Sequence, residues 1–131
     1  MATKGRFEEP LARYFFKEII AGLKHMHMNG ICHRNLRPEN ILLDHKYVTK
    51  ISDFEISAPS AGRDNKGFLK TKLQPSPYTA PEILQNKSYD GAKCDYFAAA
   101  TILFIMVASH PPFASAHAQD PFYRHISDGK P

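Results

Sequence analysis

The chain has 131 residues, 43% of them hydrophobic and 23% charged, and a formal net charge of +4. These values are typical of one globular domain with a core of its own, and they exclude a disordered chain. The basic residues are too dispersed for a nucleic-acid interface, since the densest group is Arg63, Lys66, Lys70 and Lys72. We therefore expect no nucleic-acid partner.

The cysteines and the apolar segments indicate the cellular compartment of the protein. Cys32 and Cys94 lack the spacing of a metal site or a disulfide framework, which favours a reducing compartment. The start of the chain lacks the apolar core of a signal peptide. The longest apolar run, 97–108, is shorter than the roughly 18 residues that cross a membrane. The sequence predicts an intracellular, cytoplasmic protein without a membrane partner.

The first predicted element is an amphipathic helix. Pro10 suits its first turn and Asn29-Gly30 its end. Between them, apolar side chains recur at helical spacing: Leu11, Tyr14, Phe15, Ile19, Leu23 and Met26. His25 and His27 lie two residues apart, so they point to different sides of the helix, and we expect both to face solvent.

Shorter elements follow this helix. Residues 31–40 are predicted to form an irregular loop, because Pro38 disfavours a helix. Residues 41–43 and 48–51 are apolar and β-branched, which predicts two short strands joined by a turn.

The second half of the chain contains one strong helical signal. Residues 57–77 are rich in Ser, Pro, Gly, Asn and Lys, which predicts a long loop. The apolar segment from about Cys94 to residue 108 predicts a buried helix. Phe122 and Tyr123 form an aromatic patch in the tail.

Three motifs occur in a fixed order: HRNLRPEN at 33–40, DFE at 53–55 and APE at 80–82. They resemble the catalytic loop, the metal-binding triplet and the end of the activation segment of eukaryotic protein kinases. FLKTK at 68–72 is similar to the serine/threonine group that contains the calmodulin-dependent and AMP-activated enzymes. The similarity extends from about residue 9 to the end of the chain.

The resemblance implies a fold and a domain organisation. We expect a mainly α fold with a small β element, comprising part of a protein kinase large lobe: catalytic loop, short β hairpin, activation segment and buried central helix. The expected division is an N-terminal leader over 1–8 and a partial kinase-like domain over 9–131, lacking the small lobe and the final helices.

The resemblance also implies ATP and Mg²⁺ as cofactors. Asp53 and Asn40 match the two residues that hold magnesium, and both offer the hard oxygen donors that this ion prefers. Leu42 matches the residue that packs beneath the adenine. Because no small lobe is expected to cradle the phosphates, we expect nucleotide binding to be weak or absent.

Four positions depart from the family pattern. Asn35 stands at the position of the catalytic base, and an amide cannot take up a proton near neutral pH. Loss of a general base removes roughly 10²–10⁴-fold in rate. Arg37 replaces the usual Lys, and Glu55 replaces the Gly of the triplet. The hydroxyl that ties the substrate-docking loop to the catalytic loop falls on Pro75, which has none.

One regulatory site is implied as well. Thr71 matches the activating threonine of the AMP-activated group, and Arg34 matches the arginine that receives its phosphate. Phosphorylation would add roughly 1.5–2 negative charges, enough for one to three charge-assisted hydrogen bonds.

These observations favour a kinase-like interaction module of the pseudokinase type, with a protein partner or protein substrate and at most weak nucleotide binding. One alternative is a serine/threonine kinase segment that is active when completed by missing parts. Another is a truncated gene product without independent function. The motifs establish ancestry, and ancestry is not activity, so all three stay open. The sequence does not predict the oligomeric state or the identity of the partner.

Overall fold

The computed structural model describes residues 5–61 and 66–129. Among these residues are four α-helices: α1 (Glu9–Met28), α2 (Pro81–Leu84), α3 (Gly91–Ala108) and α4 (Pro121–Ser127). The strands are β1 (Ile31–Cys32), β2 (Ile41–Leu43), β3 (Thr49–Ile51) and β4 (Ala58–Pro59), and a 3₁₀ turn, Pro38–Asn40, precedes β2. The predicted mainly α fold with a small β element is confirmed.

The main core lies between α1 and α3. The predicted stripe of α1 supplies Phe15, Ile19, Leu23 and Met26 to this core, joined by Ala12, while Leu11 and Tyr14 at its margin stay about half exposed. From α3 come Ala98, Ala99, Ile102 and Met106. Phe7 packs against the same cluster, and its backbone N–H donates to the Met106 carbonyl over 2.6 Å. One apolar face of each helix is thereby removed from water, which is the main stabilising contribution in such a pair.

Helix α3 is longer than its apolar run. It begins at Gly91 because the Asp90 carboxylate caps it, accepting from the backbone N–H groups of Ala92 and Lys93. By length and composition alone α3 could cross a membrane. In the fold one side packs on α1, as in the core helix of a globular protein. Three large side chains of α3 stay partly exposed: Tyr96, Phe104 and Val107.

The β structure consists of two antiparallel pairs. Strands β2 and β3 form the predicted hairpin, with Ile41 opposite Ile51, and β3 begins one residue later than predicted. Strand β1 pairs with β4, with Cys32 opposite Ala58. The prediction of irregular structure over 31–40 and 57–77 was therefore wrong at these two strands, because each is only two residues long and its partner is distant in sequence. Arg63, within the second range, lies outside the described residues.

The tail contains helix α4, for which the sequence analysis made no prediction. Asp120 caps it by accepting from the backbone N–H groups of Phe122 and Tyr123, and Pro121 occupies its first turn. The Tyr123 ring packs edge-on against Phe113 at 5.2 Å, whereas Phe122 is exposed. Of the two residues of the expected aromatic patch, Tyr123 therefore contributes to packing and Phe122 does not.

Candidate functional site

Asp95 of α3 anchors the start of the catalytic loop. Its carboxylate is 1% exposed and accepts from the backbone N–H of His33 at Oδ2 and from that of Arg34 at Oδ1, both over 2.8 Å. Arg34 has a φ of 66°, a left-handed conformation that a non-glycine residue adopts only when its surroundings hold it there. The central helix therefore fixes the backbone from which the candidate site extends.

His27 is a third partner of Asp95, and the prediction that it faces solvent was wrong. Its Nε2 lies 2.8 Å from Asp95 Oδ2, and its side chain is 11% exposed. The last turn of α1 points this ring at α3, and the ring meets Tyr96 edge-on at 5.2 Å. No local pattern could identify a partner 68 residues away. His25 is exposed, as predicted.

His33 connects the catalytic loop to the metal-binding triplet. Its Nε2 lies 2.9 Å from the Ser52 carbonyl, and its Nδ1 lies 3.2 Å from the backbone N–H of Asn35. A carbonyl can only accept and an N–H can only donate, so these contacts assign Nε2 as the donor of the ring and Nδ1 as its acceptor. Its edge contact with Phe54 at 5.2 Å extends the connection.

The structure brings Asn35, Asn40 and Asp53 together. The Asn35 side-chain Nδ2 donates to Asp53 Oδ2 over 3.2 Å, and the Asn40 Nδ2 donates to the Asn35 backbone carbonyl over 2.8 Å. Asp53, like Arg34, has a φ of 66°. The residue at the base position is therefore bonded to the residue at the metal-binding position.

The oxygen donors of this group fit only part of a magnesium site. Asn40 uses its amide nitrogen for the loop, which leaves its side-chain oxygen as a ligand, and Asp53 keeps Oδ1. Across the described part of the chain no group of three or more His, Cys, Asp or Glu side chains could hold a metal ion. Magnesium is commonly held by one or two carboxylates together with substrate phosphates, so Asn40 and Asp53 would hold it only with a bound nucleotide.

Arg37 and Leu42 are two further predicted site residues. Arg37 Nε donates to Glu39 Oε2 over 3.0 Å, and the Arg37 guanidinium carbon lies 5.8 Å from the centre of the Tyr78 ring. Leu42, on β2, is half exposed. Arg37 thus contacts the activation segment as well as its own loop.

Tyr89, which the sequence analysis did not single out, links Arg34 to Thr71. Arg34 donates from Nε to the Ile56 carbonyl over 2.7 Å and from Nη1 to the Tyr89 hydroxyl over 3.3 Å. The Tyr89 hydroxyl donates in turn to the Thr71 carbonyl over 2.9 Å, and its backbone pairs with Leu69. The side chain of Thr71 is exposed. The two residues predicted to form a regulatory pair are therefore joined through one tyrosine.

The hydroxyls around Pro75 bond within their own segment. Thr79 donates to the Gln74 carbonyl over 2.7 Å, and its oxygen lies 3.0 Å from that of Ser76. A cleft of about 470 Å³ separates this segment from the catalytic loop. Most of its lining is uncharged, and its charged residues are Arg34, Arg37 and Lys72 together with Asp95.

The two cysteines are free and buried. Burial raises the pKa of the Cys32 thiol to about 11. Burial also raises the pKa of Cys94, and the neighbouring Glu82 carboxylate, whose Oε1 lies 3.5 Å from the Cys94 sulfur, raises it further. Both are protonated at neutral pH and unsuited to nucleophilic chemistry.

Comparison with known families accounts for this arrangement. The protein kinase domain family matches residues 1–130. The chain belongs to the protein kinase family. The predicted relationship to serine/threonine kinases of the calmodulin-dependent and AMP-activated group is confirmed.

Plant kinases are among its most similar curated relatives. The chain is 43% identical over 128 residues to CBL-interacting serine/threonine-protein kinase 14 of Arabidopsis thaliana, covering 98% of this chain and 29% of the relative. It is 40% identical over 125 residues to CBL-interacting protein kinase 26 of Oryza sativa subsp. japonica, covering 95% of this chain and 25% of the relative. The chain therefore spans between a quarter and a third of the length of these two relatives.

Proposed function

We propose that this kinase-like chain is catalytically impaired and acts as a pseudokinase-type interaction module. The hydrogen bond from the Asn35 amide to Asp53 carries the proposal. Asn35 cannot accept the proton of a substrate hydroxyl, and its amide uses an oxygen that a metal ion would otherwise bind. Glu55 and Pro75 are further departures from the family pattern at functional positions.

Nucleotide binding is proposed to be weak. Asn40 and Asp53 keep one side-chain oxygen each that could hold Mg²⁺, and this ion would supply positive charge to neutralise the phosphates of ATP. Leu42 is exposed on β2, where it could support an adenine ring. Two protein oxygens are a small part of the six-ligand shell of magnesium, so the affinity for the metal depends mainly on the phosphates of the nucleotide.

A phosphotransfer assay tests the proposal. The purified chain, given Mg²⁺, radiolabelled ATP and a mixture of serine and threonine peptides, should transfer no measurable label. The Asp53→Ala variant is the matched control, because it removes the metal position and sets the background. Transfer above this background by the unsubstituted chain would overturn the impaired assignment.

Phosphorylation of Thr71 is the proposed regulation. Its backbone is already tied to Arg34 through Tyr89, so a phosphate on its exposed hydroxyl would sit near a guanidinium and near Lys70 and Lys72. Such contacts would order the activation segment without supplying a base. The proposed result is a switch that controls binding of a protein partner inside the cell.

Limited proteolysis of this segment tests the switch. Phosphorylated chain should be cleaved more slowly between residues 66 and 79 than the unphosphorylated chain. Phosphorylated Arg34→Ala should lose that protection, whereas phosphorylated Lys24→Ala, which removes an exposed cation of α1 outside the segment, should keep it. Equal cleavage of phosphorylated wild type and Arg34→Ala would leave Thr71 without a regulatory role.

A completed kinase is the second candidate. The retention of Asn40 and Asp53 in one cluster favours it, as does the similarity to named serine/threonine kinases that are several times longer. In that case the whole protein would transfer the γ-phosphate of ATP to protein hydroxyls. Transfer by a longer natural form, lost on Asp53→Ala, would select this function over the first.

A further inference from the structure

The Arg37 side chain crosses from the catalytic loop to the activation segment. Its guanidinium carbon lies 5.8 Å from the centre of the Tyr78 ring, within the roughly 6 Å at which a cation attracts an aromatic face. Its Nε is held by Glu39 over 3.0 Å, which orients the guanidinium. Arg37 thus has one contact that fixes it and one contact that reaches across the cleft.

The segment that Tyr78 belongs to needs such a contact. Pro75 and Pro77 have neither a backbone N–H nor a side-chain hydroxyl to bond the catalytic loop. The hydroxyls of Ser76 and Thr79 are engaged with each other and with the Gln74 carbonyl. The two prolines and the two short hydroxyl side chains of this segment therefore provide no hydrogen bond to the catalytic loop.

The Tyr78 ring is well placed to serve instead. It is partly buried and packs against the main core cluster, so its own position is fixed. The Thr101 hydroxyl of α3 lies 3.3 Å from the carbonyl of the preceding residue, Pro77. A cation stacked on this ring connects the catalytic loop to a segment already seated on the core.

We propose that Arg37 is a positioning residue that braces residues 74–79 against the catalytic loop by stacking on Tyr78. The planar guanidinium suits this role better than the compact ammonium of lysine, since it can stack on a ring while Nε keeps its hydrogen bond. The brace also shapes the cleft, because Arg37 and Tyr78 both line it. The inference concerns architecture and holds whether or not the chain transfers phosphate.

Hydrogen exchange measures the brace directly. In Arg37→Met the amides of Ser76, Tyr78, Thr79 and Ala80 should exchange about two- to fivefold faster, which is the factor expected from an exposed cation–π contact. Tyr78→Leu should give the same increase, and the double variant should add nothing further. Tyr78→Phe keeps the ring, and Glu39→Gln keeps an amide oxygen that can accept from Arg37 Nε while losing the charge of an exposed pair, so both should leave exchange within twofold of wild type.

The coupling between the two residues decides the outcome. Amides of α1 serve as an internal reference for global stability, so the ratio of exchange in 76–80 to that in α1 is compared. If the effects of Arg37→Met and Tyr78→Leu on this ratio multiply in the double variant, the two residues act independently and the proposed brace is wrong. Unchanged ratios in both single variants would overturn it as well.

The Tyr78 phenol provides a second readout that general loosening would not imitate. Burial raises its pKa, Glu39 raises it further, and the Arg37 charge opposes them. Arg37→Met should therefore raise this pKa and Glu39→Gln should lower it, as followed by NMR of ¹³Cζ-labelled tyrosine. Shifts of the same sign in both variants would contradict the proposed geometry.

Discussion

The side-chain amide of Asn35 donates a hydrogen bond to Asp53 Oδ2 over 3.2 Å. An aspartate at position 35 could not make this bond, because its carboxylate is acceptor-only. Two carboxylates would then face each other at the same separation, and a cation would be needed between them. The asparagine therefore gives this chain a cluster that is stable without metal.

Asn35→Asp should make the cluster dependent on a cation. Without metal we expect a loss of about 1 kcal/mol in the free energy of unfolding, the repulsion of two unit charges roughly 4 Å apart in water. Millimolar Mg²⁺ should recover this loss and raise Tm more than it does in wild type. Thermal unfolding with and without Mg²⁺ measures the difference.

Asn35→Ala is the control for that experiment, since it removes the donor without adding a charge. Its Tm should respond to Mg²⁺ no more than that of wild type. An equal Mg²⁺ response of Asn35→Asp and Asn35→Ala would show that the two side chains do not face each other in solution. We expect no phosphotransfer from Asn35→Asp alone.

Removal of the Asp95 carboxylate should be the most destabilising change in the site. Asp95→Ala leaves the backbone N–H groups of His33 and Arg34 buried without partners, at roughly 1–3 kcal/mol each. We expect urea unfolding to show a loss of about 2–6 kcal/mol, or no folded state. His27→Phe removes one donor and leaves these two bonds in place, so its midpoint should lie between those of Asp95→Ala and wild type. A midpoint for Asp95→Ala at or above that of His27→Phe would contradict the anchoring role.

Gly91 is required by a close approach at the start of α3. A Cβ there would lie 2.5 Å from Cys32 Sγ and 2.9 Å from Leu69 Cδ1. Gly91→Ala should therefore cost about 1–3 kcal/mol, as overpacking does in a core. Urea unfolding of Gly91→Ala and of Gly91→Ala/Cys32→Ala measures the clash, since the second change removes the sulfur and should restore part of the loss.

Gly22 offers a matched comparison for this prediction. It lies inside α1, and a Cβ there would meet only the flexible end of Ile51, at 3.0 Å. Alanine is preferred over glycine inside a helix by roughly 0.5–1 kcal/mol, so Gly22→Ala should be close to neutral or stabilising. If Gly22→Ala and Gly91→Ala lowered the free energy of unfolding by similar amounts, the clash with Cys32 would not be the cause of the loss in Gly91→Ala.

Helix α4 should loosen in acid because of Asp120. The backbone N–H of Tyr123 contributes most to holding the Asp120 pKa below its ordinary value, and those of Ser115, Ala114 and Phe122 add to it. The folded pKa is thus below the unfolded value of about 3.9, so the stabilisation is present above that pH and is lost as pH falls through the folded pKa.

Hydrogen exchange of the Tyr123 and Ala114 amides between pH 6 and pH 3 measures this effect. After correction for intrinsic rates, protection should fall below about pH 4. Asp120→Asn keeps a capping oxygen but no titrating carboxylate, so its protection should be independent of pH there. A similar fall in protection in Asp120→Asn would assign the acid transition to another group.

The parts of the fold that sequence predicted are those with local signals. The stripe on α1 repeats over five turns, and the hairpin strands are rich in aliphatic and β-branched residues and close in sequence, so periodicity and composition identify both. The pairing of β1 with β4 was not predicted, because a strand of two residues is too short to show an alternating pattern. The capping signal of α4, Asp120 followed by Pro121, is present in the sequence, and seven residues were too few to show a stripe.

The residues of the candidate site also divide into those with a local sequence signal and those without one. Ordered motifs identified Asn35, Asn40 and Asp53, and the structure places them together. His27 and Tyr89 were missed because their roles depend on partners that only the fold brings near, Asp95 for the first and Arg34 with Thr71 for the second. Whether these residues bind a metal or a phosphate stays a prediction.

The anchoring of the catalytic loop by Asp95 has a consequence for biosynthesis. Asp95 follows His33 by 62 residues and Arg34 by 61, so the ribosome releases the loop well before it releases the carboxylate that fixes it. Contacts across such separations form late, because a long segment must first be closed. The left-handed backbone of Arg34 has no support from Asp95 during that interval. A message truncated before the codon for Asp95 would therefore encode every residue of the Asn35 cluster and still produce a chain in which the cluster has no anchor.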